Sequence, residues 1–321
     1  MAMLDMPLQQ LEIYRGTNPK PEDFDEYWET ALQEMRQADS RVEMVPSDFK
    51  TPFAECYDLF YTGVKGARIH AKFILPKERK GKIPALLMFH GYTDGAGEWS
   101  DKLQYVAAGF AVAVMECRGQ GGISEDVGGV KGTTMWGHII RGLDGDKQDM
   151  LMRNVFLDAA QLAKIVMEMP EIDERKVCVT GGSQGGGLSL ACAALEPEIC
   201  RIGISYPFLS DYKRVWDMDL TTNAYSEIRN YFRQFDPLHQ RENEIFTKLG
   251  YVDVHHLADK IRGKVVMAIS IMDDICPPST QFAVYNNLVC EKEKLLYHDY
   301  GHEFLMGYPD RLYQFFLELV Q

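Results

Sequence analysis

GGSQGGG, Gly181–Gly187, is the stretch on which the reading of this chain turns. Five glycines surround one serine and one glutamine, either as a flexible linker or as a turn too tight for other residues. The flanks decide between the two. KVCVT (176–180) has the composition of a buried strand, and LSLACAAL (188–195) that of a helix stopping near Pro197. A serine in a G-x-S-x-G pattern between strand and helix fits a nucleophile elbow. There the serine takes a strained turn, and the residues two positions away must lack side chains. Ser183 is then the candidate nucleophile, with Gly181 and Gly185 keeping the turn clear.

Outward from the elbow, strands and helices alternate. IPALLMFH (83–90), FAVAVMEC (110–117), RIGISYP (201–207) and KVVMAISIM (264–272) are near-continuous apolar runs. Such runs are expected of strands buried on both faces. Helical patterns separate or follow them at 99–109, 146–170 and 280–289, and EKLLYHDY (293–300) followed by PDRLYQFFLELV (309–320) adds a last strand and helix. This order predicts an α/β fold around a mostly parallel sheet. Residues 42–77 instead alternate polar and apolar, which predicts antiparallel N-terminal strands. The segment 211–259 is polar, aromatic and helical in pattern and reads as a cap-like insertion within a single domain spanning 1–321.

Composition narrows the function classes. The chain is 46% hydrophobic and carries a net charge of −13, which argues against a nucleic-acid partner. The one basic cluster, KERKGK from Lys77, reads as a solvated turn between strands. No apolar run approaches the roughly 18 residues a membrane helix needs. The N-terminus lacks a basic start followed by an apolar stretch, so no secretory signal is expected. Seven scattered cysteines without a CxxC pair predict reduced thiols and a cytoplasmic setting. No HExxH spacing is present, and His302-Glu303 lacks a second histidine, so neither metal nor cofactor is expected.

Serine needs a histidine base, and the histidine needs a carboxylate to hold its tautomer. With an elbow serine these follow in the order serine, acid, histidine, after later strands. Asp273-Asp274 follows one such strand and His302 the next. His255 and His256 precede the acid and belong to the cap, while His298 falls inside a strand pattern. The oxyanion donors expected are the backbone N–H of Gln184, after the nucleophile, and that of Tyr92, in the loop after an earlier buried strand. His90 in that loop reads as a structural histidine.

The stretches HGY (90–92), RGQGG (118–122), GGSQGGG, YPFLSD (206–211), DDICPPST (273–280) and GHEF (301–304) converge on one family. Together they resemble the acetyl xylan esterases and cephalosporin C deacetylases of carbohydrate esterase family seven, over nearly the whole chain. The resemblance implies an α/β-hydrolase fold and a triad of Ser183, Asp273 and His302. It selects Asp273 over Asp274 because the family's acid stands four residues before the Pro-Pro pair. It implies Tyr92 and Gln184 as oxyanion donors, and Arg118 and Gln120 as a structural signature satisfying buried loop carbonyls. The implied substrates are small acetylated sugars, short xylooligosaccharides and cephalosporin C, and the implied assembly is a cytoplasmic homohexamer. Pro207 and Phe208, after a strand on the same side, are expected to line a tight acyl pocket narrowed by the insertion.

Overall fold

The computed structural model describes residues 4–132 and 134–320. Nine strands form one sheet: β1 (Glu43–Pro46), β2 (Ala54–Thr62), β3 (Arg68–Pro76), β4 (Ile83–Phe89), β5 (Ala111–Met115), β6 (Ile172–Gly182), β7 (Arg201–Ser205), β8 (Lys264–Ser270) and β9 (Lys292–Tyr297). Their spatial order is β1-β2-β3-β5-β4-β6-β7-β8-β9. The pairings β1–β2, β2–β3 and β3–β5 are antiparallel. Every pairing from β5 through β4 to β9 is parallel. The polar–apolar alternation of the N-terminal strands and the unbroken apolar runs of the later ones match this division.

The physical reason lies in the two faces of the sheet. In β4, Ala85, Leu87 and Phe89 enter one apolar core, while Leu86 enters the other. In β5, Ala111, Ala113 and Met115 face the first core, and Val112 and Val114 the second. Each of these residues has water on neither side, so a strand of period two must be apolar at every position. The helices Leu151–Met167 and Gln184–Leu195 cover one face and contribute to the first core. The helix Tyr308–Leu317 covers the other through Phe315 and Phe316.

Between β7 and β8 the chain leaves the sheet and forms the helices Tyr212–Asp217, Ser226–Phe235 and Glu242–Leu249 with intervening 3₁₀ turns. One further helix, Phe24–Gln37, was not among the expected elements. It buries Phe24, Tyr27, Trp28, Ala31 and Met35 along one stripe at helical spacing. β9 ends at Tyr297, so His298 lies just past the strand in an exposed turn rather than inside it. Among the described residues, no helix is long and apolar enough to cross a membrane.

Candidate active site

The elbow is built by backbone clearance. Ser183 has φ 55° and ψ −122°, a conformation L-residues rarely adopt, between the end of β6 and the helix Gln184–Leu195. A Cβ on Gly181 would lie 2.4 Å from the carbonyl carbon of Gly185, and one on Gly185 would lie 2.1 Å from the carbonyl oxygen of Phe89. Neither contact can be relieved by turning a side chain, because both meet backbone. A Cβ on Gly187 would lie 2.5 Å from the Phe208 carbonyl oxygen. The glycines therefore let the turn close and seat the helix start against the end of β4.

Across the sheet, the loop after β8 carries two aspartates in different surroundings. Asp273 is fully buried and Asp274 is exposed. Asp273 Oδ1 accepts the N–H groups of Ile275 (2.9 Å) and Cys276 (2.8 Å), which fix the carboxylate. Its Oδ2 accepts from Nδ1 of His302 at 2.8 Å. That bond sets the tautomer, leaving Nε2 as the nitrogen with a free lone pair. The ring of Tyr206 packs against His302 at 4.6 Å between centroids. Cys276 is also buried here; burial pushes its thiol well above the usual range, and Asp273 adds to this while the Ser183 hydroxyl works against it.

Ser183 and His302 both line a cavity of about 280 Å³ with Gly91, Tyr92, Phe208, Asn223, Ala224 and Ile275. Phe208 is thus where the sequence places it, but Pro207 is not in the wall. Its Cα lies 3.2 Å from where a Cβ on Gly186 would sit, so it packs behind the elbow against the helix start. Asn223 and Ala224 come from the helical segment between β7 and β8, and nothing in their local pattern marked them. Ile275 could have been found from its position beside Asp273.

Gln184 opens its helix, where the first N–H groups have no intrahelical acceptor. Its side-chain amide pairs with that of Gln120 at 2.9 Å, and Gln120 Oε1 also accepts the Thr93 N–H at 2.9 Å. Gln120 therefore ties the elbow to the Tyr92 loop instead of satisfying buried carbonyls, which corrects the expected role. Arg118 does bond a buried loop carbonyl, but its main partner is a carboxylate. It makes a two-pronged pair with the buried carboxylate of Asp158 (2.6 and 2.7 Å) and only one bond to a carbonyl, that of Val64 (3.2 Å). Sequence reasoning missed Asp158 because it lies 40 residues away on the helix Leu151–Met167. His90 is tied at both nitrogens: Nδ1 donates to the Gly91 carbonyl (2.7 Å) and Nε2 accepts from the Cys117 N–H (3.0 Å). Burial lowers its pKa, so it stays neutral as an anchor of the loop.

Among the described residues, two groups of side chains have metal-ligand types within 4.8 Å of one another, Asp253–His255–His256 and Asp273–Cys276–His302. In each the carboxylate is already bonded to a histidine Nδ1, at 2.6 and 2.8 Å respectively.

This sheet, with the elbow at the end of one central strand and the histidine–carboxylate pair at the ends of two others, is the α/β-hydrolase fold. Solved structures share the fold even where sequence similarity is low, as in the Pyrococcus horikoshii acylaminoacyl peptidase (18% identity, TM-score 0.59, 84% of this chain and 41% of that one). The family model for acetyl xylan esterase (AXE1) matches residues 1–319, and the chain belongs to that family of carboxylic ester hydrolases. It is similar to acetyl xylan esterase 1 from Thermoanaerobacterium sp. JW/SL YS485, with 62% identity, a TM-score of 0.96, and 99% and 100% of the two chains covered. It is also similar to the acetyl xylan esterase from Paenibacillus sp. R4, with 33% identity, a TM-score of 0.91, and 98% and 100% covered. The acetyl esterase Axe7A of Xylanibacter ruminicola is 28% identical over 296 residues, 89% of this chain; the match spans 64% of that longer relative.

Proposed function

We propose that the protein is a serine esterase that removes acetyl groups from small acetylated sugars, including short xylooligosaccharides, and from cephalosporin C. The observation that carries the reading is Ser183, on its strained turn, opening into the same small cavity as a histidine whose Nδ1 is held by a buried aspartate. Three close or distant relatives named for acetyl esterase activity support the acyl group. A cavity of about 280 Å³ walled by Tyr92, Phe208 and Ile275 suits a short acyl chain.

In this mechanism His302 Nε2 takes the Ser183 proton as Oγ attacks the acetyl carbonyl. The tetrahedral oxyanion receives the N–H groups of Tyr92 and Gln184. Collapse breaks the ester C–O bond, and the sugar oxygen leaves with the proton held by His302. Water then loses a proton to His302 and attacks acetyl-Ser183. Acetate departs, and Ser183 recovers its proton. Asp273 orients the imidazole and stabilises its charged form throughout. The hexamer implied by the family resemblance belongs to the same proposal. Ile123, Val127, Val130, Met135 and Trp136 expose apolar surface along one loop that a second copy would cover.

The test is acyl-chain profiling on p-nitrophenyl esters from C2 to C12, run beside acetylated xylose and cephalosporin C. A sharp preference for acetate with acetate released from both natural esters is expected. Good turnover of butyrate and longer esters, with none from the sugars, would overturn the deacetylase reading while leaving the site intact.

A further inference from the structure

One buried carboxylate near the cavity has no part in the mechanism above. Glu227 sits in the first turn of the helix Ser226–Phe235, inside the insertion, and is fully buried. Its hydrogen-bond partners are uncharged donors. Oε2 accepts the N–H groups of Ile139 (2.8 Å) and Ile140 (3.4 Å), and Oε1 accepts the hydroxyl of Tyr92. Burial pushes its pKa up to about 6, against the pull of the backbone N–H groups of residues 137–140. A fold gains little stability from an unpaired carboxylate in such a place, where an apolar residue would pack without cost. Its position is informative because of what it holds.

Tyr92 has two jobs in the site. Its backbone N–H is the oxyanion donor proposed above, and the residue lines the cavity. The ring stands edge-on to His138 (5.3 Å) and Phe208 (5.7 Å), and its hydroxyl reaches Glu227 at the far end. The next residue, Thr93, has positive φ (63°) and is tied through its N–H to Gln120. The loop is therefore fastened at two points. Gln120 joins it to the elbow, and Glu227 joins it to the insertion.

We propose that Glu227 is a positioning residue for the esterase reaction: by gripping the Tyr92 hydroxyl and the 139–140 backbone together, it sets the Tyr92 peptide for the oxyanion and makes the insertion a working part of the site. The inference rests on the reading of Tyr92 as an oxyanion donor. Oxyanion donors act only when placed for the transition state, and a shift of about 1 Å can cost on the order of 100-fold in rate. Glu227 touches neither substrate nor the reacting atoms, so its effect should fall on kcat with KM little changed.

The experiment compares Glu227→Ala, Glu227→Gln, Tyr92→Phe and the double variant Tyr92→Phe/Glu227→Ala with the parent and Ser183→Ala, on p-nitrophenyl acetate. Binding of a trifluoromethyl ketone, which mimics the tetrahedral intermediate, is measured alongside. Glu227→Ala is expected to lower kcat about 10- to 100-fold and to weaken the ketone by a similar factor. Glu227→Gln should recover most of the rate, because its oxygen can accept the Ile139 N–H while its amide donates to Tyr92. Tyr92→Phe keeps the backbone donor and should lose about as much as Glu227→Ala. The double variant should lose no more than either single one. Three results would overturn the proposal: Tyr92→Phe or folded Glu227→Ala with parental kcat, single losses that multiply in the double variant, or a loss of kcat without loss of ketone affinity. Activity retained by Ser183→Ala is a separate failure, sinking the underlying site and not only the role of Glu227.

Discussion

Two of the histidines held by carboxylates, His302 and His70, could hardly be used more differently. His302 donates from Nδ1 to Asp273 at 2.8 Å and turns its other edge to the cavity it shares with Ser183. His70, on β3, faces Glu116 with Nδ1 and Asp58 with Nε2, both at 2.8 Å. With both nitrogens engaged by carboxylates, His70 has neither free to face a nucleophile. Glu116 also accepts the N–H groups of Ile123 (2.7 Å) and Ala96 (3.4 Å), so the cluster staples the two loops after β4 and β5 to the antiparallel strands. A histidine–carboxylate contact alone therefore says little about catalysis. What distinguishes a base is the second nitrogen, free and facing a nucleophile.

Substitutions should separate the two clusters. Asp273→Asn leaves the geometry but allows the wrong tautomer, and kcat should fall by about 10⁴, with Ser183→Ala at least as damaging. Steady-state kinetics on p-nitrophenyl acetate checks this, and near-parental kcat in Asp273→Asn would erase the distinction. Arg118→Met strands the fully buried Asp158 carboxylate and should cost about 3–5 kcal/mol in denaturant unfolding. His70→Gln should cost about 1–3 kcal/mol, since polar groups of Glu116 and Asp58 lose their shared donor. Its kcat should stay within a few-fold of the parent, and a loss near that of Asp273→Asn would mean the staple reaches the chemistry.

How much of this was visible beforehand follows from distance along the chain. The elbow, the parallel strands and His302 were legible because each leaves a local signal: glycines where backbone meets backbone, apolar runs where both faces are covered, a histidine just past a strand. The choice between Asp273 and Asp274 was legible only through the family resemblance and its spacing to Pro277-Pro278, not from local pattern. Both sit at a strand end, and the fold gives the physical reason: one is buried against His302 while the other faces solvent. Glu227 and Asp158 were invisible because their partners lie 135 and 40 residues away. The helix Phe24–Gln37 is a different kind of omission, since its buried positions already follow helical spacing in the sequence.

A smaller effect than the loss of Arg118 is expected in pH dependence, where two carboxylates pull opposite ways. Glu227 has a folded-state pKa of about 6, above its ordinary 4.5. The folded protein holds that proton more tightly, so this contribution favours folding below about 4.5 and is lost as pH rises through about 6. At Glu116, burial raises the pKa but the bond and charge of His70 outweigh it, leaving it lowered. That contribution is present above the ordinary carboxylate range and is lost as pH falls. Glu227→Gln removes only the first. The stability of the parent relative to Glu227→Gln should therefore rise by about 1.5 kcal/mol between pH 7 and pH 4.5. Thermal melts across that range read the difference, and a constant difference would mean that Glu227 does not titrate there.

The backbone of Ser183 carries one more consequence. A non-glycine residue held at φ 55° stores on the order of 1–2 kcal/mol of strain that glycine would not. Ser183→Gly, though inactive, should melt at a higher temperature than the parent. Screening variants for heat tolerance alone would therefore reward the loss of the nucleophile, so any selection for robustness must be run under a demand for turnover.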